Sequence, residues 1–515
     1  MWQKLRRADA GFWGVLAVAF GAVCLVLFAI FLSASRYRLW EVPVSAWYVF
    51  ILCGLILGLS WLAAHYRRLW RKAGRDLVQA NLQLPAQLLP AVCGHARLPT
   101  PEYVPLIQAL FRPPPQITYI QLEPLAGGYG GSSTLEARLL DAGSEEPLSQ
   151  RFVIKLGRRD TIEGEAENYE RFVSTALVGQ EALHRQATWG DYAGIAYRFV
   201  SLAPGSTIMT FGEFYSSAQS DNESIALVRQ TCERLRDAWY SRGRTVKRDL
   251  FAEYSLLAEK QDPIKQAVMT IVDQDDPYCR TNLSQTEPPW PNRQPAFCRQ
   301  PDFGWHDPLA FLHQWRQQHL ALDIHRATIH GDLNARNVLI EIGKDGRRHP
   351  WFIDFSHTGN GFSAARRRQA PVGSVAADQE QGHTLRDFCR LEADLKFIVT
   401  RLENPADLEL GLGLEAALLR YSKDWRTFPD EPPPGDAFAD RRFRKAWHVI
   451  AAIRQQAAQY LADPADPRPY LFGLLNATLP VVYYQAEQFD GLQCERQQKR
   501  FALLAAGMLC YRLTQ

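Results

Sequence analysis

The sequence predicts an α+β protein in two lobes, a small antiparallel sheet and then a mainly helical region, preceded by a two-helix membrane hairpin. Three observations predict it. Short β-branched and apolar runs separated by turns fill residues 117–200. From residue 384 onward, helix-period patterns alternate with Pro, Gly and Asp clusters. Two long uncharged apolar segments open the chain, at about 11–32 and 42–64.

The first of these, Gly11 to Leu32, spans 22 residues, enough for a helix to cross a hydrocarbon core of roughly 30 Å. The second, Val42 to Ala64, has Pro43 at its entrance. Its immediate succession, and the lack of an A-x-A site, argue against a cleaved leader. Lys4, Arg6 and Arg7 precede the pair and Arg67, Arg68, Arg71, Lys72 and Arg75 follow it, whereas the connecting loop holds Arg36, Arg38 and Glu41. This asymmetry predicts a multi-pass protein of a bacterial inner membrane, with both termini in the cytoplasm and the lipid bilayer as partner. Trp2, Trp13, Trp40, Trp47, Trp61 and Trp70 near the span ends suit interface anchors. The hairpin unit is placed at 1–75.

Composition limits the remainder. A chain of 515 residues, 47% hydrophobic and 22% charged, can bury one large or two ordinary domains. A net charge of +3 supplies no electrostatic case for a nucleic-acid partner. Nine scattered cysteines lack metal-ligand spacing, so neither zinc nor a disulfide framework is assigned. Eight prolines between Pro85 and Pro115 mark a connector at 76–116.

The sheet lobe, 117–200, begins with strand patterns at Ile117–Leu122 and Thr134–Leu140. Between them, Gly127, Gly128, Gly130 and Gly131 allow a hairpin loop to close over a ligand, with backbone N–H groups facing phosphate oxygens. A third strand, Arg151–Leu156, carries Lys155, and a helix is expected from about 161 to 178. Glu165 lies beside the packing seam of that helix as a partner for Lys155, with Glu170 as the second choice. Residues 195–200 read as another strand, and Pro204-Gly205 as a connector suited to adenine.

The densest chemistry lies at 330–354. A short strand leads into His330-Gly-Asp-Leu-Asn-Ala-Arg-Asn337, and Trp351-Phe-Ile-Asp-Phe follows as a second strand. Phosphoryl transfer needs a carboxylate to position a hydroxyl and accept its proton, a role Asp332 fits. It also needs oxygen ligands for Mg2+, and Asn337 and Asp354 have them. His330 is assigned to bracing the loop.

These residues resemble the aminoglycoside phosphotransferase-like branch of the protein-kinase-like fold. More closely, Gly331-Asp-Leu-Asn-Ala-Arg-Asn, Ile353-Asp-Phe and Gly382-His-Thr-Leu-Arg-Asp-Phe-Cys-Arg-Leu-Glu look like a bacterial group of ternary-complex-associated, or phosphotransferase-family, domains. The resemblance spans roughly 117–513 and is thin through 205–310, which reads as a large helical insertion in a C-lobe at 201–515. It implies a bilobal protein-kinase-like fold and an ATP-dependent kinase acting on an unknown small-molecule or protein hydroxyl acceptor. By position, it implies that Gly127, Gly128, Gly130 and Gly131 cover the phosphates of ATP. Lys155 contacts them with Glu165 as partner, Asp332 is the base, and Asn337 and Asp354 hold magnesium. Asp387 takes a bracing role.

Two departures qualify the implication. Asn334 stands where serine/threonine protein kinases place a lysine, and Gly331 where many have an arginine, which favours a small-molecule kinase. An insertion at 361–381 carries Arg366, Arg367 and Arg368, read as a solvated loop or as contacts to an anionic substrate or membrane surface. The competing function is a nucleotide-binding scaffold with weak or lost turnover. The apolar stretch from Tyr470 is read as a buried core helix rather than a third span.

Overall fold

The structure is a computed structural model that describes residues 91–93, 102–111, 119–125, 132–140, 151–177, 183–199, 206–271 (except 219 and 255), 304–363, 367, 380–421 and 424–515 (except 490 and 491). The chain divides into two units, Met1–Leu77 and Val78–Gln515, and every described residue belongs to the second.

That unit is a mixed α+β structure. Alternating side chains build a six-stranded open sheet from β1 (Ala91–Cys93), β2 (Tyr119–Pro124), β3 (Ser133–Leu140), β4 (Arg151–Arg158), β5 (Leu183–Trp189) and β6 (Tyr192–Phe199). Their order is β1-β2-β3-β4-β6-β5, with only the β1–β2 pair parallel. β1 and helix α1 (Tyr103–Leu110) come from the expected proline-rich connector. Tyr103, Leu106, Ile107 and Leu110 of α1 pack in one core with Phe152, Ile154 and Leu156 of β4. Because strand side chains alternate, Val153 and Lys155 face the other way, and Val153 packs with Leu339, Trp351 and Ile353. That alternation aims Lys155 at the segment holding Asp354.

Helix α2 (Arg159–Asn168) follows β4 and continues through a π turn at Tyr169–Val173, overlapping the helix expected from about 161 to 178 but starting two residues earlier. Residues 205–310 are more than a helical insertion. β7 (Thr207–Thr210), α3 (Phe211–Ser217), α4 (Asp221–Ala238), β8 (Arg244–Asp249), α5 (Leu250–Tyr254) and α6 (Leu256–Ile271) all lie there. After α7 (Pro308–Gln318) come β9 (Ala321–Ala327), β10 (Val338–Ile342), β11 (Arg348–Phe352) and β12 (Gly382–His383). β7 pairs with β10 and β8 with β9, so the described part of 205–310 is woven into the two small sheets flanking the 330–354 segment. Expectation missed these pairings because they join residues far apart in sequence.

The remaining layer is helical: α8 (Leu385–Asp394), α9 (Pro405–Arg420), α10 (Arg441–Ala457), α11 (Arg468–Thr478) and α12 (Leu492–Leu513). Buried aliphatic and aromatic side chains from all five join one core. Within it Glu392, Lys396, Glu415 and Arg454 form a charged network with fully buried side chains.

The membrane expectation is corrected. No helix among the described residues is long and apolar enough to cross a membrane. α12 has the length, 22 residues, but carries Glu495, Arg496, Lys499, Arg500 and Arg512. α11, the stretch weighed as a third span, has 11 residues, about 17 Å of helix, and its Tyr470, Phe472, Leu474 and Leu475 are buried in the core. The expected spans at 11–32 and 42–64 lie outside the described residues. The transmembrane hairpin, the lipid bilayer as partner and the inner-membrane placement are withdrawn.

His383 in β12 makes stability depend on pH. Its Nδ1 shares a 2.7 Å hydrogen bond with the Tyr254 hydroxyl, and its backbone N–H donates to Glu253 at 3.0 Å. Burial, aided by the positive charges of Arg386 and Arg326, pushes its pKa down to about 3. The folded state therefore binds fewer protons than the unfolded chain below the ordinary histidine value near 6.5. Stability from His383 is complete above that value and is lost as pH falls toward the folded one. Taking the chain from pH 7 to pH 5 is expected to cost about 2 kcal/mol through His383, with His349, lowered to about 4 by burial and Arg234, acting with the same sign. Urea unfolding at the two pH values measures the loss, and His383→Gln is expected to make it smaller; an equal loss in the variant would contradict the assignment.

Candidate active site

The loop from Thr328 to Asn337 has no regular secondary structure, and buried side chains hold its shape. Asp387 on α8 accepts from the His330 N–H at 2.7 Å, the Gly331 N–H at 2.8 Å and the Tyr240 hydroxyl at 2.8 Å. Burial raises its pKa, an effect these hydrogen bonds and His330 offset only in part. Asp394, about two turns further along α8, accepts from the Ala335 N–H at 2.9 Å. Asn334 accepts from the N–H groups of Arg336 and Asn337 at 3.0 and 3.1 Å. Gly331 sits at φ +85, where a Cβ would lie 2.4 Å from the His357 carbonyl oxygen, so only glycine fits this bend. His330 makes a 3.0 Å hydrogen bond from Nε2 to the Ile353 carbonyl, bracing the loop against the next strand.

The loop presents Asp332 and Asn337 together. The Asn337 amide donates to the Asp332 carbonyl at 2.8 Å and to its Oδ2 at 3.3 Å. Arg390 on α8 donates from Nε to Asp332 Oδ1 at 2.8 Å and from Nη1 to the Tyr484 hydroxyl. Burial alone would raise the Asp332 carboxyl; Arg390 and His357 outweigh it and hold the group below the usual range.

Asp354 follows β11 in a left-handed conformation, φ 65, uncommon for a residue other than glycine. Its Oδ1 accepts from the Ser356 hydroxyl at 2.6 Å and lies 2.7 Å from Lys155 Nζ. Burial opposes its ionisation, but Lys155 and Ser356 keep the carboxyl far below the ordinary range. Lys155 Nζ also donates to Glu165 Oε2 at 2.7 Å. Glu165 Oε1 accepts from the Tyr197 hydroxyl at 2.9 Å and the Phe355 N–H at 3.3 Å. Glu170, the second choice, is exposed. Two carboxylates against one ammonium keep Lys155 protonated despite burial, its pKa raised above the ordinary lysine value.

The structure thus brings Lys155, Glu165 and Asp354 into one cluster, and pairs Asp332 with Asn337. Gly127, Gly128, Gly130 and Gly131 lie outside the described residues, as does the connector at 200–205. Strands β2 and β3, which precede and follow the glycines in sequence, are antiparallel up to the Leu125 N–H to Thr134 carbonyl hydrogen bond, 3.2 Å.

Two arginines at the site escaped the sequence reading, and a third sits differently from expectation. Arg386 and Arg390 stand one helical turn apart in the quoted Gly382–Glu392 stretch, and that i, i+4 spacing was the available signal. Arg367 was read within a solvated loop or as a substrate contact. It is buried instead, donating to the carbonyls of Thr358 at 3.1 Å and Phe362 at 2.5 Å and to Asn168 Oδ1. Asn168 in turn donates to the carbonyls of Phe355 and Ser356 at 2.8 and 2.9 Å. Arg367 therefore braces the segment after Asp354. Arg366 and Arg368 lie outside the described residues.

The donor set suits magnesium. Asp354 Oδ2 and Asn337 Oδ1 have no hydrogen-bond partner among the described residues. No group of three His, Cys, Asp or Glu side chains is placed to hold a metal among them. Mg2+ ordinarily binds one or two protein oxygens and completes its shell with phosphates and water, which fits such a pair.

The sequence family described as Ternary complex associated domain 9 matches residues 119–263. That stretch contains Lys155 and Glu165 and ends before Asp332, Asn337 and Asp354. No curated protein matches the chain. Among solved structures, a thermostable mutant of the aminoglycoside phosphotransferase APH(4)-Ia, in a ternary complex with ADP and hygromycin B, is similar over 76% of this chain and 95% of its own. Identity is 13% and the TM-score 0.36, a likeness too low to carry an argument about this chain.

Proposed function

We propose that this chain is an ATP-dependent phosphotransferase that moves the terminal phosphoryl group of ATP to a hydroxyl of its acceptor. The observation that carries the reading is a buried lysine held 2.7 Å from two carboxylates, Glu165 and Asp354, beside a loop whose Asp332 is fixed by Asn337 and Arg390. A structural ion pair does not need a second carboxylate on a strained left-handed residue.

Each residue takes one role. Lys155, oriented by Glu165, contacts the phosphates of ATP, and the glycines 127, 128, 130 and 131 cover them. Asp354 and Asn337 would hold magnesium, which would supply positive charge to neutralise the charge that develops on the phosphates. Asp332 accepts the hydroxyl proton as the acceptor oxygen bonds to phosphorus and the bond to ADP breaks. Domains at 117–200 and 201–515, with the nucleotide between them, belong to the same proposal.

The test measures nucleotide binding and magnesium-dependent ADP release by the full chain in the presence of cell extract. Asp354→Ala is expected to reduce magnesium-dependent nucleotide affinity at least about tenfold, one lost charge-assisted ligand. A parent protein that binds no nucleotide overturns the reading. Tight binding without release of ADP would overturn turnover and favour the scaffold.

A further inference from the structure

Beside Asp332 the structure contains a cleft of about 360 Å3, within the range of small-molecule sites. The charged side chains among its described lining are Asp332, Arg390 and Arg386. Arg390 is paired with Asp332. Arg386 is not paired with any carboxylate among the described residues. Its Nη1 and Nη2 donate to the carbonyls of Gly361 and Glu253 at 3.3 and 2.8 Å. Its guanidinium lies over the rings of Tyr254 and Phe362, 4.7 and 5.2 Å from their centroids, and its buried Nε has no hydrogen-bond partner among the described residues. Stacking therefore fixes the plane, and of the five guanidinium N–H donors two are committed to carbonyls, while no carboxylate among the described residues neutralises the charge. The described lining carries two guanidiniums and one carboxylate, in a site partly walled by aromatic rings, where electrostatic interactions are stronger than in bulk water.

We propose that this cleft receives the acceptor, and that the acceptor is a small hydroxyl compound carrying a carboxylate or phosphate, with its anion on Arg386 and its hydroxyl at Asp332. This rests on the phosphoryl-transfer reading given above. A guanidinium is suited to a carboxylate or phosphate. A cationic acceptor such as an amino sugar would bring an ammonium against that charge, with Asp332, the carboxylate among the described lining, already paired with Arg390.

The experiment uses the full chain and a panel matched in size: gluconate and glycerol phosphate as anions, glucose and glycerol as neutral counterparts, and glucosamine as the cation. Binding is measured by calorimetry with and without Mg-ATP, and acceptor-dependent ADP release is followed in parallel. Anions are expected to bind at least about tenfold tighter than their neutral counterparts, and the gluconate and glycerol phosphate arms decide between carboxylate and phosphate. Arg386→Gln, which keeps a long planar side chain, is expected to abolish that preference. Asn476→Asp, which adds a carboxylate to the cleft wall without removing the arginine, is expected to weaken anion binding and improve glucosamine binding. Equal or tighter binding of glucosamine, a preference that survives both substitutions, or no binding by any anion overturns the inference. Nucleotide binding that persists in those cases leaves phosphoryl transfer standing. Anion binding without nucleotide binding supports the cleft's ligand class and overturns phosphoryl transfer.

Discussion

Asp332→Asn is expected to lower phosphoryl transfer by about 10²–10⁴-fold, the range for removal of a general base, and to leave nucleotide affinity unchanged. The substitution is nearly isosteric. An amide oxygen still accepts from Arg390 Nε, and the loop is held by Asp387, Asp394 and Asn334 rather than by Asp332 itself. What disappears is the capacity to take the hydroxyl proton. Single-turnover transfer with bound ATP, read beside a nucleotide-binding isotherm, separates the two; parallel losses in both would show that Asp332 acts on binding. Arg390 sharpens the test through pH. Arg390 holds the Asp332 carboxyl low against burial, so Arg390→Gln is expected to move the acid limb of the rate profile to higher pH.

Arg454→Met is expected to be the most destabilising of the conservative-volume changes, by about 3–5 kcal/mol. Arg454 donates to both oxygens of Glu392, at 2.9 and 2.7 Å, and to the Leu418 carbonyl at 2.8 Å. Glu392 also accepts from Tyr470 at 2.7 Å and lies 3.2 Å from Lys396, which pairs with Glu415 at 2.7 Å. Burial opposes the charge on Glu392, yet Arg454 and Lys396 hold its pKa at about 2. Removing Arg454 strands that carboxylate without its main partner, and the desolvation penalty is then uncompensated. Adding Glu392→Leu is expected to recover part of the loss, because the buried charge goes with its partner. By contrast, the partly exposed Arg442–Asp407 pair is solvent-screened and contributes less. Urea unfolding of the single and double variants measures the coupling.

The legible part of the site is the part written locally. Asp332 and Asn337 are five residues apart on one loop, and the strand pattern on either side makes their juxtaposition a matter of chain geometry. Lys155 and Glu165 needed one strand and the start of the next helix, and the ten-residue step between them suffices because α2 begins at Arg159, directly after β4. The helices of the C-terminal region were readable for a related reason: apolar residues recur within each short segment, with a clear helical period in α8 and α10, and Pro, Gly and Asp separate them. β7 and β8 were not readable, since each has few residues and finds its partner more than seventy residues away.

The sequence by itself determined that Asp332 and Asn337 share one loop and that a strand carries Lys155, because spacing and alternation act within a few residues. Only the tertiary structure decided the electrostatic setting of those side chains. Asp354 reaches Lys155 from 199 residues away, Arg390 reaches Asp332 from another helix, and Arg367 is buried beneath the loop rather than solvated. Charge interactions act through space and depend on what burial removes from water, so no local pattern encodes them.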